Sequence, residues 1–392
     1  MKKDNENPDY PLACSTWGDE ELAAISRVVN SGLFSMGNEV CEFEKYFSST
    51  MGCKYAVMVN SGSSANLLMI AALFFVKENA LKRGDEVIVP AVSWSTTYFP
   101  LQQYGLKLKF VDVCEETLNY DLEQLSATVS ESTKVIFAVN LLGNPNDFEE
   151  INRIIGESNI TLLEDNCESM GASFQDRKTG TFGIMGSFST FFSHHISTME
   201  GGVIVTDDEE LLHILLSLRA HGWTRDLPEA NRICEKSSDG FFEPFRFILP
   251  GYNVRPLEIS AAIGIEQLNK LHGFLNVRRE NADRFKTLMQ RHDRFSTQKE
   301  IGHSSWFGFA IICEDPIVRE SLTSELKRFK IDFRPIVAGN FAKSEAIKYF
   351  DYEIAGELAV ANKIHASGIM IGNHHFDLTE QLKLLDRSLT AF

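Results

Sequence analysis

A chain of 392 residues exceeds the roughly 250–300 at which one hydrophobic core stops growing, so two domains are expected. Composition is that of an ordinary globular protein, 44% hydrophobic and 23% charged, and a formal charge of −16 argues against a general nucleic-acid binder. Seven cysteines, scattered and never spaced as C-x-x-C, fit a reducing cytoplasm and argue against a disulfide scaffold or a zinc ribbon. Lys2 and Lys3 are followed by no apolar stretch, so the start does not read as a signal peptide. The longest apolar run, Leu67 to Val76, is about half of what a bilayer crossing needs.

Apolar runs predict strands at Tyr55–Asn60, Glu86–Val92, Leu106–Val113, Lys134–Leu141, Ile160–Asp165, Ser187–Phe192 and Gly202–Thr206. Helical patterns separate the early ones, which predicts an α/β domain with a seven-stranded, mostly parallel sheet. Ligands in such sheets gather at the carboxyl ends of the strands. The polar segment Asp226–Phe242 reads as a surface excursion. After Pro256 the texture changes. A long helix is expected from Leu257 to about His292, with Ile259, Ile263, Leu268 and Leu271 on its buried side. A strand at Trp306–Ile312, a helix through Leu322–Phe329, a strand near Asp332–Ile336 and closing helices follow. The expected organisation is a large α/β domain over 20–255 and a smaller α+β domain over 256–392, with segment 1–19 packing nearby.

Four features sit at predicted strand ends. Asn60-Ser-Gly-Ser-Ser-Ala-Asn66 follows a strand and opens a helix, whose free N–H groups and positive dipole end suit a phosphate. Gly62 admits close backbone approach, and Ser63 offers a hydroxyl donor; an ordinary serine cap is the plainer reading. Trp94, in Pro90-Ala-Val-Ser-Trp-Ser-Thr-Thr97, could stack on an aromatic ring, although tryptophans are more often core. Thr161-Leu-Leu-Glu-Asp165 ends in two carboxylates, with Glu168 just beyond. His194 and His195 lie on the loop before Glu200-Gly-Gly202, and Ser189 is a further candidate hydroxyl donor. Histidine is a natural proton carrier near neutrality, but cannot form the stable imine that lysine forms with an aldehyde.

In this order the features resemble the DegT/DnrJ/EryC1 nucleotide-sugar aminotransferases, which are fold-type-I pyridoxal phosphate enzymes. The resemblance runs from Tyr10-Pro-Leu-Ala13 through Arg219-Ala-His-Gly222 and Gly251-Tyr-Asn-Val-Arg-Pro256 to the C-terminal helices. In that family the Schiff-base lysine stands six residues before the Glu of Glu-Gly-Gly. Here that position is His194, and no lysine occurs between Lys178 and Lys236. Leu163-Glu-Asp-Asn-Cys-Glu-Ser-Met170 and Ser193-His-His-Ile196 are similar to the branch that removes a sugar's 3-hydroxyl in dideoxysugar biosynthesis.

The resemblance implies pyridoxal 5′-phosphate, cycling with pyridoxamine 5′-phosphate and not held through lysine, and L-glutamate as amino donor. Gly62, Ser63 and Ser189 would hold the phosphate, Trp94 the ring face, Asp165 the ring nitrogen and Glu168 the ring-hydroxyl side. His194 would be the catalytic base, with His195 as the alternative. Asn253 would reach across from the second subunit of a homodimer with a shared active site. The anions of a nucleotide-sugar substrate and of glutamate need cations. Arg219, Arg225, Arg246, Arg255 and Arg334 are candidates, Arg219 and Arg334 foremost. A related dehydratase uses an iron–sulfur cluster and a reductase. Cys41 and Cys53, the nearest cysteine pair, are twelve apart and a cluster needs four thiolates, so neither metal nor reductase is expected. Two rivals remain: a sugar aminotransferase using a distant lysine, and a non-catalytic binding or regulatory protein on the same fold.

Overall fold

The computed structural model describes residues 8–392; residues 1–7, with the stretch read against a signal peptide, lie outside the described residues. An eight-stranded sheet forms the larger layer. Its order is Tyr55–Val59, Gly202–Thr206, Met185–Ser189, Thr161–Asp165, Thr133–Val139, Glu86–Pro90, Lys107–Val111 and Tyr352–Ile354. Gly202–Thr206 runs antiparallel to both its neighbours, and every pairing from Met185–Ser189 onward is parallel. Helices cover both faces, so strands such as Glu86–Pro90 and Gly202–Thr206 are buried along their whole length. That is why they read as unbroken apolar runs.

One expectation is corrected: the sheet has eight strands, not seven. The eighth, Tyr352–Ile354, comes from the C-terminal third and pairs with Lys107–Val111. It is three residues long and exposed, so it carries no apolar pattern to read. The strand expected at Ser187–Phe192 is Met185–Ser189, which frees residues after Ser189 to turn away from the sheet.

A second, antiparallel sheet joins Phe295–Ser296, Gly308–Cys313, Gly368–Gly372 and Phe333–Arg334. Its core is separate and contains Phe285 stacked on Phe309 at 4.2 Å, with Ile311, Leu322 and Leu385. Helix Glu258–Met289 links the two regions. Its first half buries Ala261, Leu268 and Leu271 against Phe43 and Phe47, and its second half places Ala282, Phe285 and Leu288 in the smaller core.

Candidate active site

A cavity of about 350 Å³ opens at the carboxyl ends of the parallel strands, where the small sheet leans over the large one. Helix Gly62–Ala72 points its N-terminus into it. Ser61 caps that helix by accepting a hydrogen bond from the Ser64 amide at 3.1 Å. A Cβ on Gly62 would lie 2.7 Å from Ser189 Cβ and 3.1 Å from Cys167 Sγ, so the backbone is held where only glycine fits. A Cβ on Gly202 would collide with the Ser61 carbonyl. The Gly-Gly step therefore lets the antiparallel strand pass tight behind this turn. Free amides, Ser63 and Ser189 leave a cradle suited to a phosphate.

Asp165 ends its strand facing the same space. Its Oδ2 accepts from Asn66 Nδ2 at 2.8 Å and from Thr97 Oγ1 at 2.7 Å, and its Oδ1 from the Cys167 amide at 3.2 Å. Asn66 is itself fixed by Ser187 Oγ at 2.6 Å. The carboxylate is thus locked in rotation by three donors from different elements. Sequence reading missed Asn66 and Thr97. Both stand inside motifs it singled out, one helical turn after Gly62 and Trp94, yet nothing in the chain order pairs them with Asp165.

Trp94 is the N-terminal flanking residue of helix Ser95–Gln103, and its half-exposed indole forms part of the cavity wall. Glu168 accepts a hydrogen bond from the Leu142 amide at 3.1 Å and faces Arg334 Nη2 at 3.5 Å. Burial pushes its pKa up, with Arg334 opposing.

The two histidines diverge. His194 lines the cavity, its ring 5.1 Å from that of Phe307. Burial, then Arg334 and Arg278, push its pKa down to about 3, so the ring is neutral and able to accept a proton. His195 is fully buried on the other side of the loop, with Nε2 against the Ser305 carbonyl at 3.1 Å.

Eight of the candidates therefore meet in one cavity: Gly62, Ser63, Trp94, Asp165, Glu168, Ser189, His194 and Arg334. Arg219 and Asn253 are not among the residues that line it. Arg219 is buried, donating to Glu44 at 2.6 Å and to the Met58 carbonyl at 2.9 Å, so its charge is paired within the protein. An arginine cannot be assigned to ligand or structure until its carboxylate partner is known. Asn253 is exposed and lies outside the cavity, accepting from Arg255 Nε at 3.0 Å.

Residues 15–383 match the DegT/DnrJ/EryC1/StrS aminotransferase family. The chain belongs to that family. It is 59% identical over 381 residues to GDP-4-keto-6-deoxy-D-mannose 3-dehydratase of Yersinia pseudotuberculosis, covering 96% of this chain and 97% of that one. It superimposes on the E. coli GDP-4-keto-6-deoxy-D-mannose-3-dehydratase with bound hydrated PLP with a TM-score of 0.96. That match is 56% identical and covers 98% of this chain and 100% of the other. A crystal structure of GDP-4-keto-6-deoxymannose-3-dehydratase with a trapped PLP-glutamate geminal diamine also matches at TM-score 0.96 and 56% identity, covering 97% and 100%. Among the described residues no helix is long and apolar enough to cross a membrane.

Proposed function

We propose that the chain is a pyridoxal phosphate-dependent, glutamate-requiring 3-dehydratase. It converts GDP-4-keto-6-deoxy-D-mannose to GDP-4-keto-3,6-dideoxy-D-mannose with release of ammonia, a step toward a colitose-type sugar of O-antigen. The observation that carries this reading is a cavity holding a phosphate cradle, a donor-locked Asp165 and a neutral His194, with no lysine in its wall.

Gly62, Ser63, Ser189 and the helix N-terminus hold the phosphate, and Trp94 covers one ring face. When bound and aminated by glutamate, the cofactor supplies an electron sink that spreads the charge left by proton removal. Asp165 holds the proton on the ring nitrogen, and its three donors keep it aimed there. His194 takes the proton whose loss drives out the sugar's 3-hydroxyl, and Glu168 borders the ring-hydroxyl side. Without a lysine nothing recaptures an aldehyde, so each turnover requires a fresh glutamate. The freed enamine tautomerises and loses ammonia to water.

The protein works in the cytoplasm as a homodimer whose second subunit brings Asn253 to the site. Its exposed position and the surface-exposed Phe241, Phe242, Phe245 and Phe247 support that. An iron–sulfur cluster and a reductase play no part.

The test is a product assay with pyridoxal phosphate, glutamate and GDP-4-keto-6-deoxymannose. Ammonia, 2-oxoglutarate and a deoxygenated keto sugar are expected. An amino sugar formed without ammonia would make the protein an aminotransferase instead.

A further inference from the structure

Two polar atoms at the site have no partner. His194 Nδ1 and Arg334 Nε are both buried without a hydrogen bond among the described residues, and both side chains line the cavity. Arg334 Nη2 meets Glu168 only at 3.5 Å, well beyond the roughly 2.7–2.9 Å of a charge-assisted hydrogen bond. Its place is fixed by the small sheet, where Phe333 and Arg334 pair with Ile371 and Met370.

The charged and titratable groups around His194 come from every side. Arg334 stands on the small sheet, Arg278 on helix Glu258–Met289, and His195 next in the chain. Asp165, Cys167, Glu168 and Glu200 line the same cavity. Of the two cations, Arg278 is closed off, its Nη1 donating to the carbonyls of Trp306, Phe307 and Asn373. Arg334 is the one a ligand can reach.

The geometry points to Arg334 as an anion sensor for the base: an oxyanion docking on its guanidinium strengthens His194 as a proton acceptor. A bare cation beside an imidazole disfavours the imidazolium, and a paired one does so far less. In the free protein the low proton affinity of His194 keeps it a weak base. Burial is the larger cause of that weakness; docking of an anion relieves the part due to Arg334 just when a proton is to be removed, and the extra proton affinity is met from the reacting carbon or from solvent. The inference rests on the dehydratase reading, which brings two oxyanions, a glutamate carboxylate and the sugar-nucleotide diphosphate.

Histidine-selective ¹³C labelling of the full-length protein allows a direct test, with the His194 resonance identified by its loss in H194N. Its titration midpoint would be measured alone, with sulfate, which stays anionic in acid, and with GDP. A rise of about one pH unit or more with at least one of them is expected. The arm that produces it tells a small oxyanion from the diphosphate. R334K should keep the rise, whereas R334M should start higher and lose it; R334Q serves if R334M does not fold. A midpoint unmoved by both anions, or an undiminished rise in R334M, would overturn the inference. Because the readout needs no turnover, a normal rise with no dehydration would sink the functional reading alone. Dehydration without the rise would sink only the coupling.

Discussion

At the residue scale, the fate of two adjacent histidines decides the chemistry. His194 turns its ring into the cavity while His195 is sealed against the Ser305 carbonyl. Removing a general base costs on the order of 10²–10⁴-fold. H194A is therefore expected to lower dehydration by about that factor while pyridoxal phosphate still binds. H195N is expected to act mainly on stability, visible as a lower melting temperature with kcat nearly retained. Full activity in H194A together with loss in H195N would reverse the assignment. The register with Glu200-Gly-Gly202 indicated His194, but sequence alone held nothing against His195. Which ring reaches the cavity depends on how the loop packs on Phe307, more than a hundred residues away in the chain.

At the scale of elements, the site is an agreement among helix ends and strand ends. Helix Gly62–Ala72, helix Ser95–Gln103 and strand Thr161–Asp165 meet at one carboxylate. A hydrogen bond to a charged group contributes about 1.5–3 kcal/mol to stability, so N66A should release one of the three donors that fix Asp165 and loosen its alignment on the ring nitrogen. The expected signature is a slower amino-transfer half-reaction, followed by absorbance, with the phosphate end still bound. G62A acts at the opposite end of the ring. Its added methyl must displace Ser189 or Cys167, and overpacking of this kind costs about 1–3 kcal/mol. Cofactor affinity measured by fluorescence titration should fall by roughly tenfold or more. An unchanged Kd would mean that the turn is not the phosphate cradle. The Ser-Gly-Ser turn was legible because glycine at a strand-to-helix turn has a local cause. The Asn66 and Thr97 bonds were not, because they join residues 99 and 68 positions from Asp165.

Across the whole molecule, helix Glu258–Met289 ties the two cores together, and Tyr10 is buried in the core of the small sheet, donating to the Gly372 carbonyl at 2.6 Å. His374 Nε2 donates to the Pro11 carbonyl, 2.8 Å away, and its ring stacks on Phe376. Burial is the main reason its pKa falls from 6.5 to about 4. The folded protein holds this ring neutral, so its contribution is complete above pH 6.5 and is lost as pH falls through the window from 6.5 to about 4. About 2 kcal/mol should be gone by pH 5. Urea unfolding of the wild type should therefore lose more stability between pH 7.5 and about pH 5 than H374N does. Equal losses would remove His374 from the account. The sequence by itself determined the α/β class, the seven longer strands and the order of the phosphate turn, strand-end acid and His loop. Those follow from apolar periodicity and short-range turn chemistry, which are local. Tertiary structure alone decided the eighth strand, the burial of Arg219 against Glu44, the three donors on Asp165 and that His194 rather than His195 lines the cavity. Each of these is a contact between distant segments, and no local pattern encodes which distant partner a side chain will find.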